Sequence, residues 1–413
     1  MPQSANPHFV GLDIGTSTVR CVVGMLDTSA GNKPSIIGHG SAPNQGMRKG
    51  VVVHVDDVAE AIVQAITEAE RISGYRITQA TVNVNGAHVS GINSKGVIAI
   101  SSANREITGE DRYRVEEAAT VVQLPPNREI IQFFAKNYSV DGQQNIKDPV
   151  GMSGVRLEVD AHIVTASTPS LRNLDFALSK AQVAPQHHTV SSLAATEAVM
   201  SRQQKEAGTV LLDIGAGTTN LIVLEDGEVQ HVAVLPIGGM HITNDLAIGL
   251  KTDLDVAEQV KLQHATLGKA TKTTANVNIG KTTHSFPMDD VQMIVEARVE
   301  ELLEFVDKEL ARIKRSRKLP GGVIITGGTA KLPGMAEFAK EHLQLSARIG
   351  KLNEEIGGLV DTVEGTDYAT VIGLMLLDML LLPEEPAAAQ GAAGKATAGA
   401  MGMVQGLLKR LKT

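Results

Sequence analysis

The sequence holds a single cysteine, Cys21, so no internal disulfide can form. Cys21 sits in an apolar run, which suits a reducing cytoplasm and a role as buried filler. Residues 2–8 contain no apolar core, and no signal peptide is expected there. No run reaches the roughly 20 apolar residues of a membrane-spanning helix. Val371 to Leu382, apolar apart from Asp378 and a glycine, therefore reads as a buried core helix. Several catalytic and nucleotide motifs are missing as well. There is no Walker GxxxxGK[ST], no GxGxxG after a first strand, no HExxH and no GxSxG. His187 and His188 are adjacent and diverge on any regular element, so they are not a metal pair. A net charge of −8 gives no general attraction to nucleic acid, and none is expected as a partner. What remains is an ordinary globular composition, 43% hydrophobic and 20% charged over 413 residues, enough for two or more domains.

The chain is organised around Val210-Leu211-Leu212-Asp213-Ile214-Gly215-Ala216-Gly217-Thr218-Thr219-Asn220. An apolar run carries one carboxylate into a glycine turn, then hydroxyls, then a second apolar run from Leu221 to Leu224. This is a hairpin whose bend has no bulky side chain, so backbone N–H groups can close around a phosphate. Alone it reads as an ordinary tight turn. The pattern, however, occurs twice: Val10-Gly11-Leu12-Asp13-Ile14-Gly15-Thr16-Ser17-Thr18 repeats it. A third glycine turn, Thr326-Gly327-Gly328-Thr329, closes a later apolar strand. Two matching halves, each offering a phosphate turn to one cleft, are the expectation, with Asp13 and Asp213 facing a metal.

Asp56 and Asp57 open an amphipathic helix that ends at Gly74. Between residues 80 and 165 the order is strand (Thr81 to Val84, Val97 to Ile100), helix (from Thr108 and Asp111 through Val122), then strands Arg128 to Val140 and Val155 to Thr165. Helices follow at Leu171 to Gln182, Val190 to Met200 and Ile242 to Leu250. Glu258 and Lys261 share one helical face, a surface ion pair on spacing alone. Val291 to Arg317 is a long amphipathic helix, acidic at its start and basic at its end, as the helix dipole favours.

Pro383 to Gly402 is rich in Ala, Gly, Pro and Glu and reads as a flexible linker of roughly 25 Å mean reach. Val404, Leu407, Leu408 and Leu411 then form one stripe, with Lys409, Arg410 and Lys412 off it. A short basic amphipathic helix of this kind suits the headgroup boundary of an anionic leaflet. Its apolar side chains give about 6 kcal/mol before ordering costs, so one tail binds reversibly and several on one polymer bind firmly.

The duplicated hairpins and the third turn resemble the actin-like ATPase superfamily. The insert between residues 80 and 165, with Asp148-Pro149-Val150-Gly151-Met152-Ser153-Gly154-Val155-Arg156-Leu157-Glu158-Val159, is similar to that of the bacterial FtsA cell-division family, and Gly46-Met47-Arg48-Lys49-Gly50-Val51-Val52, ahead of the insert, is similar to another run of that family. The resemblance covers about residues 9–382. It implies an α/β fold of duplicated ribonuclease H-like lobes with an inserted strand-helix-strand-strand (SHS2-type) subdomain. The first lobe would take 8–83 and 164–205, the insert 84–163, and the second lobe 206–240 and 306–382. A further subdomain at 241–305 would dock FtsZ, followed by a linker at 383–402 and a membrane-targeting helix at 403–413.

By the same resemblance, ATP and Mg²⁺ would bridge Asp13 and Asp213, the ion through water. Gly15, Thr16 and Ser17, with Gly215, Ala216, Gly217, Thr218 and Thr219, would surround the phosphates. Glu258, Lys261, Gly327, Gly328 and Thr329 would line the nucleoside, and Gly239 also belongs to the nucleotide set. Arg298 and Glu301 would meet the C-terminal tail of FtsZ. Val404, Leu407, Leu408, Lys409, Arg410 and Leu411 would meet the inner leaflet of the cytoplasmic membrane at the division site. The chain would also assemble with itself and with later division proteins.

Two departures bear on turnover. Thr18 stands where the family usually has lysine, and Arg20 is two strand positions further on. Ser191 stands where the superfamily usually has Glu or Gln to orient water, and Ser is no base without a partner. Nucleotide binding with at most slow hydrolysis is expected. Two other readings stay open: a type IV pilus actin-like protein of the PilM kind, and a small-molecule kinase of the same superfamily.

Overall fold

The structure is a computed structural model that describes residues 7–28, 31–102, 104–268 and 272–381. The expected linker and basic amphipathic helix, including Val404, Leu407, Leu408, Lys409, Arg410 and Leu411, lie outside the described residues.

Two sheets share one strand order. In the first, Ala184–Val190, Gln79–Val84, His8–Ile14, Thr18–Asp27 and Lys33–Pro43 lie side by side. In the second, Ala347–Ile349, Gly322–Thr326, Thr209–Ile214, Thr219–Glu225 and Glu228–Leu235 do the same. Each is a three-strand antiparallel meander whose first strand also pairs in parallel, on its other side, with a later strand that in turn pairs in parallel with another. This is the duplication expected from the paired hairpins, in the ribonuclease H-like form that the resemblance implies. Val210, Leu211 and Leu212 are fully buried because both faces of that sheet are covered, which is why the strand reads as a continuous apolar run.

Helices Ser191–Val199 and Ala369–Leu380 pack as a pair and join the lobes. They share one core with the first lobe and with one face of the second sheet, Leu211, Ile222 and Ile324. The alternate residues Val210, Leu212, Val223 and Ile325 belong to a second core beneath helices Gly239–Gly249, Leu254–His264 and Met288–Arg312. Close helix contact depends on missing side chains: a Cβ on Gly373 would lie 1.7 Å from the Ala194 carbonyl oxygen. Helix Ala369–Leu380, placed by sequence in the 306–382 piece, buries its apolar residues in the core shared with the first lobe. Asp378 within it is no anomaly. It accepts from the Val10 N–H at 3.0 Å and the Thr81 hydroxyl at 2.6 Å, while burial pushes its pKa up.

The insert runs Ser90–Ala99, helix Gly109–Thr120, Arg128–Val140, a short strand Gln143–Ile146, and Arg156–Ser167. The helix starts on a capping box in which Thr108 and Asp111 each accept from the other's backbone N–H. The first strand begins earlier than the apolar run Val97 to Ile100 suggests, because its opening residues carry glycine and asparagine. A backbone pairing of Ser90 with Ala233 sets the insert at the edge of the second sheet, which thereby holds nine strands. The long helix ends at Arg312 rather than Arg317, since Lys314 and Arg317 adopt left-handed backbone at φ 60° and 58°. No helix among the described residues is long and apolar enough to cross a membrane.

Candidate functional site

The two Asp-Ile-Gly turns close in the same way. The Gly15 N–H donates to the Thr18 carbonyl at 3.1 Å, and the Gly215 N–H to the Thr218 carbonyl at 2.9 Å. In the strand registers Asp13 stands opposite Arg20, and Asp213 opposite Asn220. The second turn is braced from outside: its Gly215 carbonyl accepts from the Gly239 N–H and the Thr329 hydroxyl, and its Ala216 carbonyl from the Met240 N–H. The third turn approaches so closely that only glycine fits. Gly327 has φ 88°, and a Cβ there would lie 2.6 Å from an Asp213 carboxylate oxygen.

These turns bound a cleft of about 660 Å³, a size suited to a small organic ligand. The expected residues Asp13, Gly15, Thr16, Ser17, Asp213, Gly215, Ala216, Thr218, Gly239, Glu258, Lys261, Gly327, Gly328 and Thr329 all line it. Gly217 and Thr219 do not. The Thr219 hydroxyl donates to the Ile237 carbonyl at 2.8 Å, and Gly217 backs onto Thr16. Lys261 is held by Glu258 at 2.7 Å and donates to the Thr243 hydroxyl and the Gly239 carbonyl. The surface pair suggested by spacing is thus a fixed element of the cleft wall. Arg298 and Glu301 lie elsewhere, on helix Met288–Arg312, where Arg298 donates to both Glu301 and Asp245.

Asp213 is buried and Asp13 half-buried. Burial, with the neighbouring charges of Asp213 and Asp367, raises Asp13 to about 7 against the opposing pull of Arg20. Burial likewise raises Asp213, against hydrogen bonds from Thr370 and Asn220 and the charge of Arg20. Asn83, not singled out in the sequence, orders the first carboxyl: its Nδ2 donates to Asp13 at 2.7 Å and to the Ser191 hydroxyl at 3.2 Å. Its only signal was a polar side chain within the apolar strand Thr81-Val82-Asn83-Val84. Asp367 was also missed. Burial pushes its pKa up, but Lys331 at 2.5 Å and Arg20 at 2.7 Å outweigh that and hold it below the usual carboxylate range.

Two facing carboxyls that resist ionisation are a place where a divalent cation gains stabilisation. The side-chain oxygen Oδ1 of Asn220, whose Nδ2 donates to Asp213, is buried without a hydrogen bond. No group of three or more metal-ligating side chains occurs among the described residues. A hard cation held by one or two carboxylates together with ligand phosphates fits that donor set. The two groups nearest the expected water-orienting place are both engaged: Ser191 accepts from Asn83, and the Glu197 carboxylate is taken up by Lys205 at 2.8 Å.

The sequence model described as "Cell division protein FtsA" matches residues 210–373, and that described as "SHS2 domain inserted in FTSA" matches residues 86–165. The cell division protein FtsA of Pseudomonas aeruginosa is 34% identical, covering 89% of this chain and 88% of its own. That of Bacillus subtilis is 38% identical, covering 90% and 83%. Among solved structures, the PilM-PilN type IV pilus biogenesis complex superposes with TM-score 0.64 at 19% identity, covering 90% of this chain and 98% of the other. MreB5 of Spiroplasma citri bound to ADP gives 0.51 at 13%, covering 90% and 96%. At those identities the structural likeness speaks for the fold alone: actin-like lobes carrying an SHS2 insert.

Proposed function

This chain belongs to the FtsA family of cell-division proteins, and we propose that it binds ATP with Mg²⁺ between its lobes and, so loaded, assembles on the membrane and holds FtsZ there. One observation carries the reading: two identically closed glycine turns present Asp13 and Asp213 to a single cleft. The turns at 15–17 and 215–218 would hold the phosphates. Asp13 and Asp213 would hold Mg²⁺ through water, and Lys261, Glu258 and Gly327 to Thr329 would line the nucleoside. When bound, the cation would neutralise the phosphates and the two acids together. The chain's own residues orient and shield: Asn83 fixes Asp13, while Thr370 and Asn220 fix Asp213.

With Ser191 facing Asn83 and Glu197 engaged by Lys205, hydrolysis would be slow at most. Nucleotide would act chiefly as an assembly ligand that favours one closure of the lobes. The subdomain at 241–305 would receive the C-terminal tail of FtsZ near Arg298 and Glu301. Attachment to the cytoplasmic face of the membrane at the division site rests on the sequence of residues 403–413. A tail that binds weakly alone and firmly in a polymer would couple membrane binding to self-assembly, before later division proteins join.

Liposome pelleting with ATP, comparing the full chain with one ending at Leu382, tests this. The full chain should pellet with anionic vesicles and carry FtsZ with it, while the shortened chain stays in the supernatant. Equal pelleting of the two would overturn the tail assignment.

A further inference from the structure

Three of the cations lining the cleft have unequal commitments. Lys261 is fixed by three acceptors on the nucleoside side. Lys331 sits at the rim with its side chain 56% exposed. Arg20 differs from both. It stands opposite Asp13 across the hairpin, on the same face of the sheet, and its charge bears on Asp13, Asp213 and Asp367 alike. Its guanidinium donates to Asp367 Oδ2 at 2.7 Å and lies 5.2 Å from the centre of the Tyr368 ring. Asp367 has a second counter-ion, Lys331, on its other oxygen. A carboxylate with two cations can release one without being left as an unpaired charge.

Asp367 belongs to a strap that closes the floor of the cleft. Thr366 exchanges hydrogen bonds with Gly327: the Gly327 N–H donates to its carbonyl, and its hydroxyl donates to the Gly327 carbonyl. Helix Ala369–Leu380 begins immediately after Tyr368 and packs on strand His8–Ile14. Arg20 thus ties the first hairpin to the strap and, through it, to the helix shared by the two lobes.

We propose that Arg20 makes the cleft discriminate a nucleoside triphosphate from a diphosphate, leaving Asp367 for the terminal phosphate while Lys331 keeps Asp367 neutralised. This rests on the nucleotide reading above and adds which residue reads the phosphate number. A guanidinium suits the exchange because its fork pairs with carboxylate and phosphate oxygens in the same geometry. Release from Asp367 frees the strap from the first hairpin, so phosphate number is passed to the lobe-joining helix.

The test is calorimetric binding of the ATP analogue AMP-PNP and of ADP, both with Mg²⁺, to the full chain and to Arg20→Gln, Arg20→Lys and Asp367→Asn. Arg20→Gln should lower the AMP-PNP to ADP affinity ratio about tenfold, the loss of one charge-assisted pair. Arg20→Lys should restore part of it. Asp367→Asn should raise the ratio, because Arg20 no longer has to leave a partner. A ratio unchanged in both Arg20→Gln and Asp367→Asn, with the unmutated chain binding both nucleotides, overturns this inference and leaves the nucleotide reading standing. If Arg20→Gln does not fold, Asp367→Asn decides alone: an unchanged or lowered ratio overturns it. An unmutated chain that binds neither nucleotide overturns both.

Discussion

Asp13 and Asp213, at the same point of two duplicated hairpins, lie near enough for the charge on Asp213 to raise the pKa of Asp13. Folding forces these acids together in a buried place, an arrangement that costs stability unless something cationic lies between them. Function and stability therefore pull in opposite directions at this site.

Asp13→Asn should accordingly stabilise the nucleotide-free protein at pH 8 by roughly 1–3 kcal/mol, since only one of the two acids, Asp213, then has to ionise there. The unmutated chain should gain about 2.7 kcal/mol at a Mg-ATP concentration 100 times its Kd. The variant should lose most of that gain. Thermal melts with and without Mg-ATP give both numbers, and a variant less stable without ligand would contradict the account.

Gly373→Ala should be costly for a different reason. The added methyl would sit 1.7 Å from the Ala194 carbonyl oxygen, so the two lobe-joining helices must separate. Overpacking of this kind costs about 1–3 kcal/mol or more. A denaturant midpoint within error of the unmutated chain would show that the helices are not in that contact.

Acid should loosen the joint between the insert and the second lobe. His162 Nε2 accepts from the Val232 N–H at 3.0 Å, and Nδ1 is 2.8 Å from the Asn93 side-chain oxygen, so the neutral ring is the form that fits. Burial, with the charges of His231 and Lys136, holds its pKa down to about 3, against an ordinary value of 6.5. A lowered pKa means the contribution is fully present above about 6.5 and is lost as pH falls from there toward about 3. The slope from this group is about 1.4 kcal/mol per pH unit. Denaturant titrations between pH 7 and pH 4 should show a shallower decline in His162→Gln; parallel curves would rule the joint out as the acid-sensitive element.

At the proposed FtsZ-docking face, Arg298 is already engaged by Asp245, with Nη2 donating to Oδ1 at 2.9 Å. Asp245→Asn should release the guanidinium and tighten binding of an acidic FtsZ tail peptide, while Arg298→Ala should weaken it by about 1–2 kcal/mol. The stability of Arg298→Ala should change by about 1 kcal/mol or less, because the pair is partly exposed. Fluorescence anisotropy with the labelled peptide separates the two, and a peptide indifferent to both would place the docking face elsewhere.

The parts of this molecule that could be read from its residues are those where a local pattern and a tertiary requirement coincide. Asp13-Ile14-Gly15 and Asp213-Ile214-Gly215 announce themselves because a turn that tight needs glycine and a carboxylate at its mouth is unusual. The duplication followed from them, and the topology repeats it strand for strand. Asp367 and Thr370 were silent, and Asn83 showed only as a polar residue in an apolar strand, because each acts through partners distant in sequence. Asp367 meets Arg20 only once the last helix has crossed between the lobes. For the same reason Val371 to Leu382 gave its helix but not its neighbours: apolarity says that a segment is buried, not against what. Gly217 and Thr219 mark the opposite limit, where a turn pattern includes residues that support the turn without facing the cleft.

The central claim is that a nucleotide lies between the two turns with Asp13 and Asp213 on either side of its cation. The most direct test is a crystal structure grown with AMP-PNP and Mg²⁺ at saturating concentration. The account predicts phosphates bracketed by residues 15–17 and 215–218, with the ion between the two carboxylates. An analogue bound elsewhere, or density absent from that gap under conditions where calorimetry shows binding, would contradict it.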